Sequence, residues 1–214
     1  MLINIHTHNP IPEGVWGIRN LYRNFEAVHE DGFFSAGLHP WYLSESGWEK
    51  EFEELQRNST HPHVVAIGEC GLDKLCSTPF GLQQLVFSKQ IELANTINKP
   101  LLIHCVKAFQ EVVQVLNQHN NKIPVVFHGF NKGNILALQL VNQGYYLSFG
   151  KHLLTSPRLQ QLLPQLPPTH FFLETDDADI PIQELYKQAA RSLQIEENTL
   201  SLQLAETAKR VFGI

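Results

Sequence analysis

The chain begins with two candidate metal ligands. His6 and His8 stand one residue apart at the end of the run MLINIHTHN. Neutral imidazole nitrogens bind Zn²⁺, Mn²⁺ and similar ions. In an extended strand residues i and i+2 face the same side, so the pair could grip one cation. Spacing alone is weak support: with 11 histidines in 214 residues, about 0.6 His-x-His pairs are expected by chance. A second pair, His61-Pro62-His63, is in fact present. Position in the fold must separate the two.

Near-continuous apolar runs mark the elements. Strands are expected at 2–5, 15–21, 33–38, 64–68, 101–105, 125–129, 145–149 and 171–175; runs without polar alternation suit strands buried on both faces, as in parallel sheets. The second is interrupted by Gly17 and Arg19. Helical spacing fills the stretches 45–57, 79–97, 108–118, 133–143, 158–166 and 198–212. Strand–helix alternation with eight strands predicts an α/β fold, a compact (β/α)8 TIM barrel. An open doubly wound sheet is the alternative, disfavoured because no Gly-rich phosphate turn follows the first strand. No linker or composition shift interrupts the chain, so residues 1–214 read as a single catalytic domain.

In a barrel the connections after the strands build the reactive face. His29, His61, His63, His119 and His170 precede strands and fall to the other face, which removes the second His-x-His pair. His6, His8, His39, His104, His128 and His152 stand at or after strand ends. Glu69 ends the fourth strand in AIGECGLD and Asp176 the eighth in LETD. Imidazoles with carboxylates on one rim suit one or two divalent metal ions (Zn, Mg, Mn or similar), and a carboxylate can bridge a pair of them.

The composition, 43% hydrophobic and 17% charged, is ordinary for a globular protein. A formal charge of −5 argues against binding nucleic acid through the overall field, though not against a local basic patch. Cys70, Cys76 and Cys105 are odd in number and form no C-x-x-C pair, which fits a reducing compartment. With no signal-peptide pattern and no run of about 20 apolar residues, the expectation is a cytoplasmic protein with no membrane partner, and a monomer.

Taken in order, HTH (6–8), GLHP (37–40), GECGLD (68–73), KPLLIHC (99–105), FHGF (127–130) and LETD (173–176) resemble the TatD family of metal-dependent hydrolases, amidohydrolase-like barrels many of which are deoxyribonucleases; QLVFSKQIELA (84–94) resembles a helix of that family. The resemblance implies that His6, His8, Glu69, His104, His128 and Asp176 are metal ligands. Glu69 would bridge, Asp176 would also handle a proton, and His39 would sit near the substrate phosphate. It further implies a deoxyribonuclease or phosphodiesterase in which a metal-activated water attacks DNA, at ends or in single strands. Asn4 stands where the family often has Asp, Gly129 where Cys is common and Lys74 where an aromatic is frequent. The segment DADIP after Asp176 is short. These departures bear on substrate and keep open an enzyme acting on a small ester, amide or phosphoester.

Other side chains carry paired expectations. Lys74, Lys107, Lys132 and Lys151 follow strand ends and form either a phosphate-holding rim, with Lys107 a substrate contact, or ordinary solvated lysines. Trp41 and Phe130 either stack bases or plug the barrel. Glu174 either orients a ligand histidine or makes a structural hydrogen bond. Asp73 either caps the following segment or touches a ligand. Cys70 and Cys105 are expected to be buried and inert.

Overall fold

A computed structural model describes residues 1–213 of the chain. Among these, eight strands follow one another in the sheet in chain order: β1 (Leu2–Thr7), β2 (Val15–Leu21), β3 (Phe33–Ala36), β4 (Val64–Asp73), β5 (Leu101–Val106), β6 (Val125–Phe127), β7 (Tyr146–Phe149) and β8 (Phe171–Leu173). The registers β1–β2, β3–β4, β4–β5, β6–β7 and β7–β8 are parallel. A parallel bridge between Thr7 and Asp176 joins the last strand to the first, which gives the strand topology of a (β/α)8 barrel. The helices are α1 (Trp48–Ser59), α2 (Phe80–Ile97), α3 (Phe109–Gln118), α4 (Asn134–Asn142), α5 (His152–Thr155), α6 (Pro157–Leu162), α7 (Ile182–Leu193) and α8 (Glu197–Phe212). None is long and apolar enough to cross a membrane.

Internal contacts divide the chain into two compact units, Met1–Arg19 with Val126–Ile214, and Asn20–Val125. In the first, Ile3, Ile5, Leu147, Phe149, Phe171 and Phe172 are buried with Leu185, Tyr186, Leu200 and Leu204 of α7 and α8. The Tyr186 phenol accepts from Ile3 N (2.9 Å) and donates to Ile3 O (3.1 Å), fastening α7 to β1. α6 opens on a Ser156 side-chain cap that accepts from Leu159 N, followed by Pro157 at the first helical position. The sequence expectation passes over α7, although Ile182, Leu185, Tyr186, Ala189 and Ala190 form a buried stripe at helical spacing.

In the second unit β4 runs ten residues, five beyond the expected stretch. Its far half, ECGLD, is polar in part, yet every residue is buried. Gln83 of α2 explains this by accepting from Asp73 N (2.8 Å) and donating to Asp73 O (3.0 Å); Asn20 likewise takes the Glu69 N–H (2.8 Å). Buried backbone groups must be paired, and here two side-chain amides pair them. Gly68 (φ 149°) and Gly71 (φ 138°) are glycines of necessity, because a Cβ on either would run into the backbone oxygens of Leu102 and His104 on β5.

Lys99 closes the turn after α2 and donates from Nζ to the carbonyls of Ser59 and His61. Burial lowers its pKa to about 8. Since an unfolded lysine titrates near 10.4, the unfolded chain binds the extra proton between about pH 8 and 10.4. Stability therefore rises with pH through that window. Denaturant midpoints at pH 7.5 and 9.5 should show the native chain gaining on Lys99→Met as pH rises; a constant difference would mean that Lys99 titrates normally.

Candidate metal centre

The first unit holds a ligand cluster at the joined ends of β1 and β8. Backbone bonds fix it: Asp176 N donates to His6 O and His8 N to Asp176 O, each 3.0 Å. Asn4 adds a second tie, donating from Nδ2 to Thr175 Oγ1 (2.9 Å) and accepting from Thr175 N (3.1 Å). With the strand ends so held, His6 Nε2 and His8 Nε2 lie 3.3 and 3.5 Å from the same Asp176 Oδ1. His6 is fully buried, whereas the His8 and Asp176 side chains are about one-third exposed, at 30% and 33%. The cluster thus has an inner wall and an open side.

His128, just past β6, brings its ring to 4.4 Å from that of His6. Its Nδ1 lies 3.3 Å from Glu174 Oε1, and the same oxygen accepts from Gly129 N at 2.6 Å. Glu174 is wholly buried. A proton on Nδ1 shared with Glu174 would fix the ring and put the metal-binding lone pair on Nε2, which favours the orienting reading of Glu174 over a purely structural one.

A second cluster lies in the other unit. His39 Nε2 and His104 Nδ1 approach one oxygen of Glu69, at 3.1 and 2.9 Å. All three residues are buried. The other nitrogen of His104 lies 3.2 Å from Asp73 Oδ2, which also accepts from the Trp41 indole at 2.6 Å. Asp73 Oδ1 accepts from Leu75 N at 2.7 Å, so Asp73 both caps the segment and touches a candidate ligand. Burial alone would raise the Asp73 carboxyl, but hydrogen bonds from Trp41, Leu75 and His104 hold it below the usual carboxylate range. Gln90 of α2 clasps both backbone groups of Leu38, beside His39, at 2.8 and 3.1 Å. Gln83 and Gln90 position the cluster and were not assigned that role from sequence. For the glutamines the available signal was their spacing of seven, which sets both on the face of α2 that buries Val86, Phe87 and Ile91.

Each cluster fits a divalent cation by its donors. In both His6–His8–Asp176 and His39–Glu69–His104 the ligand atoms lie within 4.8 Å of one another. Ligands with bonds of about 2.0–2.2 Å sit roughly 3–3.5 Å apart around one ion, and the histidine–carboxylate pairs here lie 2.9–3.5 Å apart. Nitrogen and carboxylate oxygen suit Zn²⁺, Mn²⁺ or similar ions and do not single one out.

The structure decides between several of the paired expectations and departs from one, that for Cys105. His152 is exposed on α5 and belongs to neither cluster. Phe130 is 2% exposed, packed on Phe149, and belongs to the core. Lys74 is ion-paired with Glu111, and Lys151 with Asp177 at 2.8 Å, so half of the expected lysine rim is neutralised. Lys107 is exposed just after β5, in a left-handed conformation (φ 52°). Cys70 is buried, which pushes its thiol pKa up, but Cys105 is only half-buried. The histidines before strands do lie apart from the ligands: the His61 ring packs edge-on against His29 and His63, and His170 stacks on Tyr146.

Histidines and carboxylates at the C-terminal ends of parallel strands define a barrel of the metal-dependent hydrolase class. Within that class the chain belongs to the family described as TatD related DNase, whose profile matches residues 15–213. A Bacillus subtilis protein, named an uncharacterized metal-dependent hydrolase, YabD, is 30% identical over 72% of this chain and 62% of its own length. The Enterobacter lignolyticus protein named 3'-5' ssDNA/RNA exonuclease TatD is 32% identical over 69% of this chain and 58% of its own. In each case the match spans less than two thirds of the relative. Among solved structures, that of YjjV, a TatD homologue from Escherichia coli, covers all of this chain and 98% of its own, with a TM-score of 0.84 at 22% identity. At that identity the likeness speaks for the barrel fold.

Proposed function

We propose that the chain is a single catalytic domain that hydrolyses phosphodiester bonds of DNA, in single strands or at ends, with one or two divalent ions. The observation that carries this is the His6–His8–Asp176 cluster, locked by backbone bonds between β1 and β8 yet open on the His8 and Asp176 side. His128 is the further ligand proposed for this cluster, and Glu69 and His104 are the ligands proposed in the other unit. The exonuclease named in Enterobacter supports the substrate class.

A bound divalent ion supplies Lewis acidity to a phosphate oxygen and lowers the pKa of water toward about 7. Asp176, partly exposed at the open side, would accept the proton of the attacking water. Glu69 is buried and holds His104 and His39 in place through a shared oxygen. His39 and Lys107 are the proposed phosphate contacts. A cytoplasmic monomer is the proposed working form.

Turnover of an end-labelled single-stranded oligonucleotide tests the reading, with Mg²⁺, Mn²⁺ or Zn²⁺ and with chelator. Cleavage should need the metal and stop on chelation, and the product ladder gives the direction. The short connection Asp177–Pro181 between Asp176 and α7 keeps a second reading in view: hydrolysis of small esters or amides with DNA left intact would select it.

A further inference from the structure

Three aromatic side chains stand exposed together in the second unit. Tyr22, Trp41 and Tyr42 are 37%, 52% and 41% exposed. Tyr22 follows β2, and Trp41 and Tyr42 lie in the short helical turn Pro40–Tyr42 after β3, so all three sit on connections leaving C-terminal strand ends. The Tyr22 and Tyr42 rings stack, with centroids 4.9 Å apart and planes 27° from parallel. The Arg23 guanidinium lies 5.0 Å over the Tyr42 ring. Trp41 stands at 77° to Tyr42 and at 83° and 78° to the rings of His39 and His104, with centroids 6.5, 5.0 and 5.5 Å away. Its indole is anchored on Asp73.

A ledge therefore runs outward from the His39–Glu69–His104 cluster through Trp41, Tyr42 and Tyr22 to Arg23. Exposed aromatic surface is left in water where a ligand covers it, and these rings are held in place. Trp41 is fixed by a buried acceptor, Tyr42 by the stacked Tyr22 and the cation above it. Aromatic faces bind unpaired bases with little regard to sequence, and an arginine beside them adds charge for the backbone phosphates. Glu51 lies within electrostatic reach of Arg23, so in a chain of net charge −5 the aromatic faces carry the binding more than the charge does.

We propose that Tyr22, Trp41 and Tyr42, with Arg23, form a base-stacking platform that feeds single-stranded nucleic acid to the adjoining cluster. The proposal rests on the phosphodiesterase reading and deepens it, because stacking on the ledge requires unpaired bases and so selects single strands over duplex. The ledge sets affinity through bases remote from the bond that is cut; its outer residues are positioning groups.

Equilibrium binding by the full chain in chelator, where nothing is cut, tests the platform. The probes are a fluorescent oligothymidylate, the same length of abasic tetrahydrofuran oligomer, and a duplex. Binding to oligothymidylate should exceed binding to the abasic strand by about tenfold or more. Tyr42→Leu and Tyr22→Leu should each erode that preference, read as the ratio of the two affinities within one variant; two exposed sites guard against one misfolded variant. Equal binding of the base-bearing and abasic strands, or full preference in both variants, overturns the platform. Turnover of the oligothymidylate with Mn²⁺, run in parallel, separates the two ideas. Base-dependent binding without cleavage supports the platform and removes the phosphodiesterase, and cleavage without base preference does the reverse.

Discussion

Replacing Asp176 by Asn is expected to lower metal-dependent turnover by about 10²–10⁴-fold, the range lost when a positioned proton acceptor is removed. The change keeps the side chain's shape and removes its charge and basicity. It also keeps the backbone, because Asp176 has φ 53°, a left-handed conformation that Asn adopts readily, and its hydrogen bonds to His6 and His8 are main-chain. The thermal midpoint should therefore move little while activity falls. Comparing initial rates on a labelled single strand with a melting curve checks both halves. Retained turnover would show that another group takes the proton.

The second large effect belongs to Glu174. Exchange for Gln keeps an oxygen to accept from Gly129 N but takes the negative charge from His128 Nδ1. Partners of this kind typically change metal affinity by about 10–100-fold when altered. Calorimetric titration of Mn²⁺ or Zn²⁺ into Glu174→Gln and native protein reads the change directly. An unchanged affinity would mean that Glu174 only holds the Gly129 turn. Glu174 is buried and touches no solvent, so the effect should persist at high salt, where exposed charges are screened.

Much of the architecture was legible because parallel strands bury both faces. The eight apolar runs matched the eight strands in place and order, and even the doubtful VWGIRNL, 15–21, is a strand over its full length. The candidate ligands were legible for a related reason: a histidine or acid that closes an apolar run stands toward the C-terminal end of a strand, where a barrel does its chemistry; Glu69 departs from this, because β4 runs on past it to Asp73. Hence His6, His8, His128 and Asp176 fall into linked contacts in one unit, and Glu69, His104 and His39 into another.

What the sequence left open depended on partners far along the chain. β4 extends through ECGLD because Asn20 and Gln83 satisfy its backbone from a distance, and no local pattern announces that. Trp41 and Phe130 look alike beside HP and HG, yet one is 52% exposed and the other 2%; packing against Phe149 decides the second, and the bond to Asp73 holds the first in the open. Lys74 and Lys151 read as a phosphate rim until Glu111 and Asp177 are seen to neutralise them. Residue type and periodicity are local, so the chain's order alone told which histidines and acids stand on or just after which strands. Tertiary structure alone decided which polar groups face one another, because burial and charge pairing are set by contacts between residues tens or hundreds of positions apart.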